Sequence, residues 1–235
     1  MQKTSDWLPD PLDPLWDDYV SSEEDRIAPV SKSKLSEFIM AAKVAGLSRI
    51  KDWAFALLAQ IVDAESGFPI RMPLFEQILF PILFEGYQNQ EKGCARWLEG
   101  LFLLLYHSEV AKSSLGKTET RKTLLKRALK DDPSDPLAKK RLVKEIASDF
   151  EYALHELPGG VLLGSHGSPI EQCEILRTEL EEFRSLVESL GCQSDYEELM
   201  DSCEIHFTAY PVYLTQLEMH ESYADFLEKS NLPME

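Results

Sequence analysis

Between Arg121 and Pro158 the chain reads RKTLLKRALKDDPSDPLAKKRLVKEIASDFEYALHELP, and this stretch restricts the fold more than any other. Leu124, Leu125, Ala128 and Leu129 fall at i, i+1, i+4 and i+5, a spacing that gives a helix one apolar face. Lys122, Lys126 and Lys130 repeat every four residues on another face. Asp131 and Asp132 are poor helix formers, and the residue before a proline is pushed out of the α region. DDPSDP therefore ends the first helix. Asp135 suits the cap of a second helix, with Pro136 at the first position, where a missing N–H costs nothing. Leu142, Val143, Ile146, Phe150, Ala153 and Leu157 supply the buried face of that helix, and Pro158-Gly159-Gly160 stops it.

Two helices joined by a short Asp/Pro turn resemble the seam between tetratricopeptide-type repeats. Arg127-Ala128-Leu129 followed by Asp132-Pro133 fits the RAL-like helix end and DP turn of that seam. The resemblance covers about 35 of the 235 residues, and the family's 34-residue period does not recur on either side. It implies a helical-repeat scaffold; a degenerate solenoid and an irregular helical domain both stay open.

The rest of the chain has the same helical grammar. Leu35, Phe38, Ile39 and Ala42 form one stripe; Trp53, Ala54, Leu57, Leu58 and Ile61 form a stronger one. The stretch from Leu74 to Phe84 is apolar nearly all round, and Pro81 within it predicts a kink. Trp97, Leu98, Leu101, Phe102 and Leu105 define a further helix. Ser168-Pro169 with Glu171 caps a long helix striped by Cys173, Leu176, Leu180, Phe183 and Val187, which Gly191 ends. Val161 to Leu163 reads as an apolar anchor under the glycine-rich loop before it. Ser194 with Glu197 caps the next helix, and Pro211 begins or kinks the last. No turn flanked by alternating apolar residues marks a hairpin. The expectation is an all-α protein: an irregular helical bundle or solenoid of about eight to nine helices, without substantial sheet. Residues 1–33, broken by Pro9, Pro11, Pro14 and Pro29 and rich in aspartate, read as an acidic arm that packs through Trp7 and Trp16 or docks on a partner. Residues 34–235 read as one domain, with a division near 108–117 as the alternative.

Charge narrows the function. The net charge is −17, and its distribution is uneven. Residues 112–144 carry eleven basic and four acidic groups, whereas residues 145–235 carry three basic and twenty acidic ones. A field of that sign repels phosphate, so direct nucleic-acid binding is not expected, and it attracts a basic protein. Solubility and internal pairing are the plainer explanation of the same charges. MQKTSDWLPDP carries no apolar signal region, so the expectation is a cytoplasmic chain whose Cys94, Cys173, Cys192 and Cys203 stay reduced. No apolar run is long enough to cross a membrane.

Four patterns invite chemistry. Ala111 to Thr118, AKSSLGKT, satisfies a relaxed phosphate-loop pattern with alanine for the first glycine. A working loop also needs a preceding strand and a second strand ending in an acid, and neither is legible. Cys192, Cys203 and His206 have metal-compatible spacing but lack a clear fourth ligand; core cysteines are the competing reading. His155-Glu156 begins a zinc-protease motif whose second histidine is replaced by Gly159. Ser165-His166 sits in a glycine-rich loop without the spacing of a nucleophile elbow. No catalytic residue, metal ligand or cofactor is assigned.

Three functions follow as expectations. The first is a non-catalytic acidic protein that binds and neutralises a basic protein. Its surface would be Glu171, Glu174, Glu179, Glu181, Glu182, Glu188, Glu197, Glu198 and Asp201. In composition such a chain is similar to acidic bacterial immunity proteins, which implies an inhibitor role. The second is a scaffold whose basic band, through Lys122, Lys126, Lys139 and Lys140, takes an acidic peptide. The third is a nucleotide-binding enzyme using Gly116, Lys117 and Thr118. Homo-oligomerisation through the all-apolar helix is compatible with each.

Overall fold

The structure, a computed structural model, describes residues 7–116, 118–157, 161–162, 165–166 and 170–233. It is an all-α, irregular helical architecture with more helical segments than the eight to nine expected. The one strand pairing among the described residues is two residues long, Val161–Leu162 against Ser165–His166. The chain forms two compact units, Met1–Asp135 and Pro136–Glu235. The division falls within the DDPSDP turn and not near 108–117, so the two helices flanking that turn belong to different units.

The first unit contains α1 (Leu12–Glu24), α2 (Ala28–Ala45), α3 (Lys51–Leu58), α4 (Met72–Leu74), α5 (Phe80–Gln88), α6 (Cys94–Gly100), α7 (Phe102–His107), α8 (Glu109–Leu115) and α9 (Arg121–Asp131). Of the expected arm, residues 12–33 form α1 and the start of α2 and pack against the rest of the unit. Leu12, Trp16 and Tyr19 are buried, and the Trp16 ring lies 4.9 Å from Trp53 and 5.1 Å from Phe38. The prolines that suggested an interrupted arm sit where helices tolerate them. Pro14 occupies the first turn of α1 and Pro29 the start of α2, where backbone N–H groups have no helical acceptor in any case.

Pro81 is handled in a similar way. A π turn over Phe75–Leu79 joins α4 to α5, which places Pro81 at the second position of α5. A second π turn, Ala59–Asp63, continues α3 and ends on a residue with a distant partner, Arg96. The helix expected through Leu101 is broken there. Gly100 closes α6, and Leu101 at φ −101° and ψ 19° separates it from α7.

The second unit contains α10 (Pro136–Glu156), α11 (Ile170–Leu190), α12 (Glu197–Thr215) and α13 (Tyr223–Lys229). Helices α10, α11 and α12 pack on one another around Phe150, Phe183 and Phe207. Phe150 lies 5.5 Å from each of the other two rings, with the tilted geometry that aromatic quadrupoles favour. Gly191, at φ 67°, ends α11 as expected. The cap expected from Ser194 is absent. Residues Gln193–Asp195 form a 3-10 turn, and α12 starts after Tyr196 without a side-chain cap. Pro211 does not begin a helix; it lies inside α12. The cap at Ser168-Pro169 and the side chains of the Val161-to-Leu163 anchor lie outside the described residues.

Candidate partner-binding surface

Helix α11 is amphipathic, and its two faces have different chemistries. Cys173, Leu176, Leu180, Phe183 and Val187 turn inward and are buried. The opposite face carries Glu171, Glu174, Glu181 and Glu188, all exposed, with Glu179 and Glu182 half-buried at its edges. Glu174, Glu181 and Glu188 are spaced by seven residues, so they lie nearly in line along the helix. Helix α12 adds exposed Glu197, Glu198 and Asp201 in its first two turns. Glu181 accepts a hydrogen bond from Arg184 Nη1 at 3.1 Å, and Arg184 Nη2 reaches Glu204 at 3.0 Å. Glu179 and Glu182 also have partners. Among the described residues, Glu171, Glu174, Glu188, Glu197, Glu198 and Asp201 have no cation within ion-pair distance.

Local helix physics explains only part of this pattern. Acidic side chains in a first turn favour the helix, which accounts for Glu171, Glu197 and Glu198. Glu188 is the opposite case. It stands in the last turn of α11, where the helix dipole disfavours a carboxylate and no basic residue is present.

The basic band is divided between the two units. Lys122 and Lys126 are on α9 of the first unit, and Lys139 and Lys140 are on α10 of the second. Neither Lys122 nor Lys126 is without a partner. Asp135, the residue before α10, accepts a 2.7 Å hydrogen bond from Arg96 Nε. The Arg96 guanidinium also pairs with Asp63, whose second oxygen accepts from Trp97 Nε1 at 3.0 Å. Asp132 supports the turn itself, accepting from Ser134 N and Oγ. These bonds, with Lys92 beside them, hold its carboxyl below the usual aspartate range.

Ala111 to Leu115 of the phosphate-loop pattern fold as helix. Ser108 caps α8, and the N–H groups of Ala111, Lys112 and Gly116 donate to Ser108 Oγ, Ser108 O and Lys112 O. Those donors are committed and cannot wrap a phosphate, and a helix, α7, precedes them in place of a strand. Lys117 lies outside the described residues. Beside this segment α7, α8 and the start of α9 border an open cavity of about 600 Å³. Sequence reading missed it, because Leu101 and Phe102 look continuous with the helix before them.

Of the metal candidates, Cys203 and His206 are buried and Cys192 is half-buried. All four cysteines are free, and burial pushes the thiols of Cys94 and Cys203 up to about 12 and that of Cys173 to about 11. A protonated, buried thiol is a poor ligand and a poor nucleophile. His206 is buried, and its Nδ1 is hydrogen-bonded to the Tyr223 hydroxyl at 3.0 Å. No cluster of three or more metal-ligating side chains occurs among the described residues. No helix among them is long and apolar enough to cross a membrane. Comparison of the chain with protein-family models, curated proteins and solved structures gives no match in any of the three.

Proposed function

We propose that this chain is a non-catalytic binding protein whose α11–α12 surface takes a basic protein partner, in the manner of an inhibitor or immunity protein of a bacterial cytoplasm. One observation carries the reading: six exposed carboxylates on one pair of helices lack a counter-ion among the described residues, and Glu188 opposes its own helix dipole. Such charges repel one another, and Glu174, Glu188 and Asp201 gain nothing from a helix N-terminus, so a cationic surface is what they complement. The four unpaired cysteines agree with a reducing compartment.

The test is capture from a lysate of the source cells by the immobilised full chain. A basic protein is expected to be retained at low salt. It should elute near about 1 M salt, where the screening length falls to about 3 Å. The variant Glu174→Lys/Glu181→Lys/Glu188→Lys, all at exposed positions, should keep its helicity and lose that protein. Retention that ignores both salt and charge reversal would overturn the reading.

A further inference from the structure

The cavity in the first unit has a lining that selects for one ligand chemistry. Its walls are Phe102, Leu105, Ala111, Leu115 and Leu124, with Tyr106 at the rim. Leu105, Ala111 and Leu124 are buried; Phe102 and Leu115 are half-buried. At about 600 Å³ it has the size of a small-molecule site. The space is half open, so solvent reaches its apolar walls, and an apolar occupant would remove that surface from water.

Among the described residues, the charged groups that line it already have partners. Lys112 Nζ lies 2.7 Å from Glu109 Oε1 and 5.1 Å from the centre of the Tyr106 ring. The Glu119 carboxylate accepts from the Tyr87 hydroxyl at 3.1 Å and from the Thr123 hydroxyl at 2.8 Å. A charged ligand would have to break one of these arrangements and give up its own hydration for a mostly apolar wall. On the same helices Leu103 and Val110 are 72% and 55% exposed, and Tyr106 at the rim is 63% exposed.

We infer that this cavity binds an uncharged, predominantly apolar small molecule, independently of the acidic surface of the other unit. The test uses N-phenyl-1-naphthylamine, which is neutral and fluoresces in dry surroundings, with its sulfonated anionic analogue as the comparison. Both are titrated into the full chain. The neutral probe should bind one per chain and more tightly than the sulfonate. Ser113 lines the cavity from an exposed position on α8, whereas exposed Ser114 beside it does not line it. Ser113→Trp should therefore weaken the neutral probe by about tenfold, a difference of about 1.4 kcal/mol. Ser114→Trp adds the same ring outside the cavity and should leave binding within about twofold of the parent chain. Leu115→Trp, at the half-buried rim, should repeat the Ser113→Trp loss. No binding of the neutral probe, equal binding in all three variants, or tighter binding of the sulfonate would each overturn the inference.

Discussion

Gly86 shows what a single hydrogen decides in this fold. A Cβ at this position would lie 2.4 Å from Cys94 Sγ, so α5 and α6 approach more closely than any other residue at 86 would permit. Helix propensity alone would favour alanine over glycine by about 1 kcal/mol. The overlap should win: Gly86→Ala is expected to destabilise by about 1–3 kcal/mol in urea unfolding. Cys94→Ala in the same chain should recover most of the loss, because it removes the clashing sulfur; without that recovery the contact is not the cause. His206 gives a pH-dependent counterpart. Burial lowers its folded-state pKa below the ordinary 6.5. Folded and unfolded chains are then both neutral at this site above pH 6.5. As pH falls below that value the unfolded chain takes the proton first, so stability is lost on acidification. Between pH 7 and about 5.5 the parent chain should lose stability and His206→Gln should lose less. Equal slopes would place the titration elsewhere.

At the scale of elements, the DDPSDP turn is held from a distance. Arg96 on α6 joins Asp63, the last residue of a π turn, to Asp135, the last residue of the first unit. All three side chains are largely buried, so the guanidinium offsets two carboxylates where water screens them poorly. Arg96→Met should cost about 3–5 kcal/mol in urea unfolding, since it leaves both carboxylates facing each other without the cation between them. Arg96→Lys should recover little, because one ammonium cannot reproduce the fork that serves two acids. A loss near that of a surface pair would show that the cluster carries no such load.

This arrangement also marks what the sequence made legible. The buried faces of α2, α9, α10 and α11 read correctly, because Leu35, Phe38, Leu124, Ala128, Ile146 and Leu180 repeat at helical spacing. Asp135 did not. Its partner is 39 residues away, and a pairing of that kind leaves no period. The acidic face of α11 was visible for the same reason as its core, since both follow from one helical repeat. That its charges stay uncompensated was not visible, because compensation depends on which helices are neighbours. The cavity was hidden by the break at Leu101, where an apolar run continues while the backbone does not.

At the scale of the whole molecule, charge and structure divide at the same point. Residues 136–235 carry twenty acidic and seven basic side chains, leaving residues 1–135 with twenty-one and seventeen. The acidic field therefore belongs to the second unit, and the cavity and the Arg96 cluster to the first. A cut after Asp135 keeps Asp135 with Arg96 and keeps Phe150, Phe183 and Phe207 together. A unit of about 100 residues is large enough to bury a core of its own. The fragment 136–235 is accordingly expected to show cooperative unfolding and the helical signal of α10 to α12. If the acidic surface is the binding surface, this fragment alone should capture the same basic protein as the full chain, with the same loss at high salt. The fragment 1–135 should not capture it, though it should still bind the neutral fluorescent probe. A folded second fragment that fails to capture the partner would move the recognition surface into the first unit, and the charge argument would fail with it.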